Sequence, residues 1–141
     1  MTLPRPSGWS RWLVIAWGLA VFVWLGREDD HVWPVATLGA LTAGVWLLTW
    51  TLNRYGGQTI PPRAVPLWGA LAGIVAGFGG AVSATALMLL KNVRHAHIVP
   101  DYPNALMGAM LSLAPVWMVA GGLLGVGAGL VILARTPPSD P

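Results

Sequence analysis

The run LMLLKNVRHAHIVPDY, residues 87–102, decides how the rest of the chain is read. It leaves a hydrocarbon-rich segment and, within about a dozen positions, gathers Lys91, Arg94, His95, His97, Asp101 and Tyr102. It also joins the two most glycine-rich apolar runs in the sequence. A short polar junction between two long apolar runs is the pattern of a helical hairpin that crosses a membrane.

The flanking runs are VPLWGALAGIVAGFGGAVSATALMLL at 65–90 and ALMGAMLSLAPVWMVAGGLLGVGAGLVIL at 105–133. Each exceeds the roughly 20 residues that cross ~30 Å of hydrocarbon, so tilt is expected. Gly69, Gly73 and Gly77 recur every fourth residue and continue into Ala81, while Ala72, Ala76, Gly80 and Ala84 form a second stripe. The last run repeats the device with Gly121, Gly125 and Gly129. In lipid there is little hydrophobic drive between helices, and small residues matter because they let backbones approach and gain dispersion contact. The two runs are therefore expected to pack against each other; the second stripe is read as intramolecular packing, with a partner subunit as the alternative occupant. Pro115 is expected to bend the last helix.

Two further runs precede these. The first, WLVIAWGLAVFVWLG at 12–26, is short for a span and relies on flanking Trp and a snorkelling Arg11, or on local thinning of the bilayer. Residues 1–11, with Pro4, Arg5, Pro6 and Gly8, form a cytoplasmic lead-in. A secretory signal competes for this region, but Gly26-Arg27-Glu28-Asp29-Asp30 lacks a small-x-small cleavage pattern and favours an uncleaved helix. The second run, 34–52, opens on Pro34, suited to a first turn. It ends before Gly56 and Gly57, which supply a left-handed stop. Trp46 and Trp50 suit an aromatic belt near that end. Residues 135–141, with three prolines, are expected to be a disordered tail.

Composition supports the same class. Of 141 residues 55% are hydrophobic and 9% charged, with a mean hydropathy of +0.65, outside the range of soluble domains. The expected fold is all-α: a polytopic integral membrane protein whose 12–134 domain holds four transmembrane helices, 12–26, 34–52, 65–90 and 105–133, in a two-hairpin bundle. The net charge of +3 comes from eight scattered Lys and Arg, which make no nucleic-acid patch. The absence of cysteine excludes disulfides, a thiolate nucleophile and Cys-ligated metal. Arg5, Arg11, Arg54, Arg63 and Arg135 fall on one side of the four spans, against Arg27, Lys91 and Arg94 on the other. The positive-inside rule then places a multi-pass protein in the cell membrane with both termini cytoplasmic. His31, His95, His97, Glu28, Asp29, Asp30 and Asp101 share the external face.

That face has two readings. An His-x-His pair directs both imidazoles to one side only on extended backbone, because alternate residues of a helix are about 200° apart. Pro100 biases Val99 toward extended backbone. His95 and His97, with His31 or Asp101, then form a candidate metal site of ligands that zinc, copper or nickel accept; no other cofactor is implied. The histidines can also confer proton sensitivity. The plainer reading pairs Lys91 and Arg94 with Glu28, Asp29 and Asp30, lets Asp101 cap the fourth helix with Pro103 in its first turn, and leaves the histidines at the interface.

Other functions find less support. The four runs, as bounded, contain no ionisable residue of the kind that proton-coupled transporters need. Gly77-Phe78-Gly79-Gly80, with Ser83 and Thr85, resembles the third helix of small fluoride channels, which are also four-helix and glycine-rich. The phenylalanine ladder of those channels is absent, since Phe22 and Phe78 are the only two Phe and lie on different helices. Thr37, Thr42, Ser83, Thr85 and Ser112 are the candidates for a polar path in a small-solute channel or transporter. No nucleophile and base come within reach, so no enzyme is expected. The leading expectation is a non-enzymatic accessory or assembly subunit, packed through Gly-rich helices three and four. Its partners would be the lipid bilayer and a homo-oligomer or larger membrane complex, without nucleic acid.

Overall fold

A computed structural model describes residues 2–5, 8–27, 31–95 and 100–135, and among them the regular structure is helical. The helices are α1 (Gly8–Leu25), α2 (Val32–Tyr55), α3 (Val65–His95), α4 (Asn104–Ser112) and α5 (Ala114–Arg135), with one 3₁₀ turn at Pro62–Ala64. Four segments are long and apolar enough to cross a membrane: Gly8–Leu25, Val32–Tyr55, Pro62–His95 and Ala114–Arg135.

Each of the four runs departs from the pattern in the sequence: α2 extends two residues before and three beyond 34–52, and the other three depart for reasons that can be named. The first helix starts at Gly8 instead of residue 12, since nothing in Trp9-Ser10-Arg11 interrupts a helix; its 18 residues rise about 27 Å. The third continues through Lys91, Asn92, Val93 and Arg94 to His95. The edge of an apolar run is where solvation changes, and a helix ends only where its backbone bonding is broken. The fourth is two helices instead of one bent helix. Pro115 has no N–H to donate, and the break falls two residues earlier at Leu113 (φ −80°, ψ −6°), whose N–H is shared between the carbonyls of Ala109 and Met110.

Helix α3 lies between α5 and α2, and its interface with α5 is the most extensive in the molecule. A Cβ placed on Gly69, Gly73 or Gly77 would collide with the backbone carbonyl of Gly125, Gly121 or Trp117 respectively. Each step of four residues up α3 is thus matched by four residues back along α5, so the helices run antiparallel at backbone contact. At the end of the seam Gly129 meets Pro66. The upper part of the second stripe is shared by α2 and α5: a Cβ on Gly39 would collide with Ala84, and a Cβ on Gly80 would come within 3.0 Å of the Trp117 ring and 3.3 Å of the Cα of Ala40. Of this stripe Ala72 is exposed, while Gly80 and Ala84 are buried within the chain, as the intramolecular reading expects.

Helix α1 is held lightly. Its attachments include Trp17 Nε1, which donates to Thr42 Oγ1 at 3.1 Å, and buried Trp24. Residues 2–5 tie instead to the turn after α2. Leu3 N donates to Gln58 O (3.0 Å) and Gly57 N donates to Leu3 O (2.9 Å). Gly57 alone takes the left-handed backbone there (φ 85°), while Gly56 caps α2 at φ −56°. On the same side Trp46, Trp50, Tyr55 and Trp68 form a continuous chain of ring contacts from α2 to α3.

Candidate functional site

The stretch 87–102 forms the polar cap of the molecule, built over a buried cluster of Trp24, Val35, Ala36, Ala84, Leu87, Met88, Tyr102 and Met110. These residues come from the end of α1, the start of α2, the last third of α3, the α3–α4 turn and α4, so one small core fastens all these elements.

Tyr102 is fully buried and is the hub. The Nδ2 of Asn92 donates to Tyr102 O at 2.7 Å, and Tyr102 N donates to Asn92 Oδ1 at 2.9 Å. One amide side chain, a turn from the end of α3, therefore satisfies both backbone groups of a buried turn residue that no helix could serve. The Tyr102 hydroxyl donates to the carbonyl of His31, the N-cap of α2, at 3.2 Å.

His95 and Asp101 meet at 2.6 Å between Nδ1 and Oδ2, with side chains 15% and 18% exposed. A charge-assisted bond of this length closes the turn between α3 and α4. Two expectations change accordingly. Asp101 does not cap α4: the N-cap is Pro103, without a side-chain bond, and Asp101 is engaged with His95. His95 stands in the last turn of α3, not on extended backbone, so the alternation argument for an His-x-His pair does not hold from its side.

For the candidate metal ligands, the structure joins His95 with Asp101 and puts His31 at the foot of α2, while His97 lies outside the described residues. Among the described residues no three of His, Cys, Asp and Glu converge. Glu28, Asp29 and Asp30 also lie outside them, and with these the expected ion pairs to Lys91 and Arg94.

Lys91 is the residue the sequence reading missed. It lies on α3 rather than beyond it, and it is 1% exposed. Its Nζ sits 4.8 Å from the ring centroid of Trp24 and 5.7 Å from that of Tyr102. Among the described residues neither Lys91 Nζ nor the buried Nε1 of Trp24 has a hydrogen-bond partner. The third run, bounded at residue 90, stops one residue short of Lys91, so the last turns of α3 carry a buried ionisable side chain. Removing an ammonium from water costs several kcal/mol, of which each desolvated ring face returns about 2. The signal in the sequence was the i, i+3 pair Lys91 and Arg94 directly after an apolar run. Arg94 is exposed and its guanidinium lies 5.4 Å from the Phe22 centroid on α1.

Elsewhere the polar groups are quiet. Thr37, Thr42, Thr85 and Ser112 each donate to a carbonyl of their own helix. Thr37 and Ser112 are also exposed. At the opposite end a cleft of about 920 Å³ opens between α1 and α2, lined by Gly8, Ser10, Arg11, Val14, Ile15, Thr49 and Asn53.

The chain matches no protein-family model, no curated protein and no solved structure. Its class is accordingly what the fold itself defines: an all-helical chain whose four long apolar helices suggest a multi-pass membrane protein.

Proposed function

We propose that the chain is a small accessory or assembly subunit of the cell membrane, without chemistry of its own, its four long helices spanning as two hairpins in one bundle. The observation that carries this reading is how the polar side chains are engaged. Asn92 serves Tyr102, His95 serves Asp101, and the hydroxyls of Thr37, Thr42, Thr85 and Ser112 bond within their own helices. This cap fastens helix ends; it does not present reacting groups.

The glycines divide in a way that fits. Gly69, Gly73, Gly77, Gly121, Gly125 and Gly129 lie within the chain's own seams. Gly18, Gly44, Gly108 and Gly127 have open space where a Cβ would be, so another helix can approach there. The outer face of α5, with Val116, Val119, Leu123 and Leu124 exposed, offers an apolar surface for lipid or a partner. With Lys91 buried, Arg5, Arg11, Arg54, Arg63 and Arg135 face only Arg27 and Arg94 as exposed bases at the other end, which favours cytoplasmic termini.

The test is extraction of the tagged chain from its native membrane in mild detergent, followed by native electrophoresis. The expected result is migration within a larger assembly, released by Gly127→Leu or Gly44→Leu without loss of the folded chain. Migration as a free monomer with no companion overturns the proposal. A metal- or proton-responsive cap is the second reading, favoured by the His95–Asp101 contact. Metal analysis of the purified chain, with and without His95→Ala and His97→Ala, decides the metal version: no stoichiometric metal in the unmodified chain ends it.

A further inference from the structure

We propose that the seam between the end of α1 and the last turns of α3, at Lys91, Trp24 and Arg94, binds a phosphate oxyanion. Two buried donors there, Lys91 Nζ and Trp24 Nε1, have no acceptor among the described residues. Both groups only donate. The faces of Trp24 and Tyr102 stabilise the ammonium but offer it no lone pair in the plane of a hydrogen bond. Asp101, the one carboxylate among the described residues, is engaged with His95. A buried donor pair of this kind calls for a ligand that accepts only and carries negative charge.

Arg94 says which kind of anion. It follows Lys91 by three helical positions, so the two lie on one side of α3, and both reach rings of α1. The seam therefore offers an exposed guanidinium above a buried ammonium, and the guanidinium fork matches two oxygens of a phosphate better than a spherical ion. Depth agrees. At 1.5 Å per residue, α3 has risen about 39 Å from Val65 on reaching Lys91, beyond the ~30 Å of hydrocarbon and level with the phosphate layer. This last step rests on the membrane-spanning reading. The same chemistry is available from a lipid phosphodiester or from free inorganic phosphate.

The experiment uses the full chain, purified and delipidated in an uncharged detergent, with the thermal midpoint followed against sodium phosphate, phosphatidylglycerol, or diacylglycerol of the same acyl chains. The expected result is a saturable rise with one or both phosphate probes and none with diacylglycerol. Lys91→Met should weaken half-saturation about 10- to 100-fold, the scale of one lost charged hydrogen bond, whereas Arg63→Gln at the other end of α3 should leave it unchanged. A rise with phosphatidylglycerol alone assigns the lipid, and a rise with sodium phosphate assigns the free ion; both support the site. No saturable rise with either probe overturns it, as does an unchanged half-saturation in Lys91→Met or an equal loss in Arg63→Gln. If Lys91→Met does not fold, Trp24→Phe keeps the ring and removes only the indole donor, and an unchanged half-saturation there overturns the site. No partner enters the assay, so its failure leaves the accessory-subunit reading standing, and the converse holds.

Discussion

Asn92 shows how much of the cap depends on one side chain. It bonds both the N–H and the carbonyl of buried Tyr102, so Asn92→Leu leaves two buried backbone groups without partners. The expected loss is about 2–6 kcal/mol in detergent unfolding, the sum of two such penalties, and a loss below about 1 kcal/mol would contradict the role. Tyr102→Phe removes the hydroxyl that donates to His31 O and should cost roughly 0.5–1.5 kcal/mol by the same assay. Lys91→Met, in the absence of phosphate, should stabilise the fold by on the order of 1 kcal/mol, because a buried charge without a counter-ion is replaced by an apolar side chain of similar reach. None of these roles is visible in the residues alone. An Asn and a Lys at the end of an apolar run read as the start of a loop, and Asn92 acquires its partner only when the turn brings Tyr102 back ten positions later. The polar stretch itself stands out in the sequence as the junction on which the fold turns, and that much carries through to the structure.

At the scale of elements, the α3–α5 seam follows directly from its spacing. Glycines four apart on both helices permit backbone contact, and no longer side chain fits there. Gly73→Leu should cost more than about 3 kcal/mol, since the new side chain meets a carbonyl and cannot rotate away, while Gly127→Leu, facing open space, should change stability by no more than about 0.5 kcal/mol. Equal losses in the two variants would contradict the assignment of inner and outer glycines. What spacing does not reveal is which neighbour takes which stripe. The upper part of the second stripe is divided between α2, where Gly39 meets Ala84, and α5, whose Trp117 ring lies over Gly80, a division that requires knowing how the helices order in space. The break at Leu113 is similar: Pro115 announces an interruption, but its position follows from which carbonyls Leu113 can share.

For the whole molecule, the decisive property is that four helices are long and apolar enough to span, joined by turns whose polar groups gather at two ends. One end holds the cap around Tyr102; the other holds the turn at Gly57, the aromatic chain from Trp46 to Trp68 and most of the arginines. On the proposed four-span reading, the single crossing of α3 separates Gln58, in the turn after α2, from Asn104, at the start of α4, across the bilayer. The chain has no cysteine, so single substitutions report without background. The direct measurement is labelling of Gln58→Cys and Asn104→Cys in sealed vesicles of one orientation with a membrane-impermeant maleimide. The expected result is that Asn104→Cys reacts from the outside and Gln58→Cys only after permeabilisation; reaction of both from the same side would contradict the four-span account.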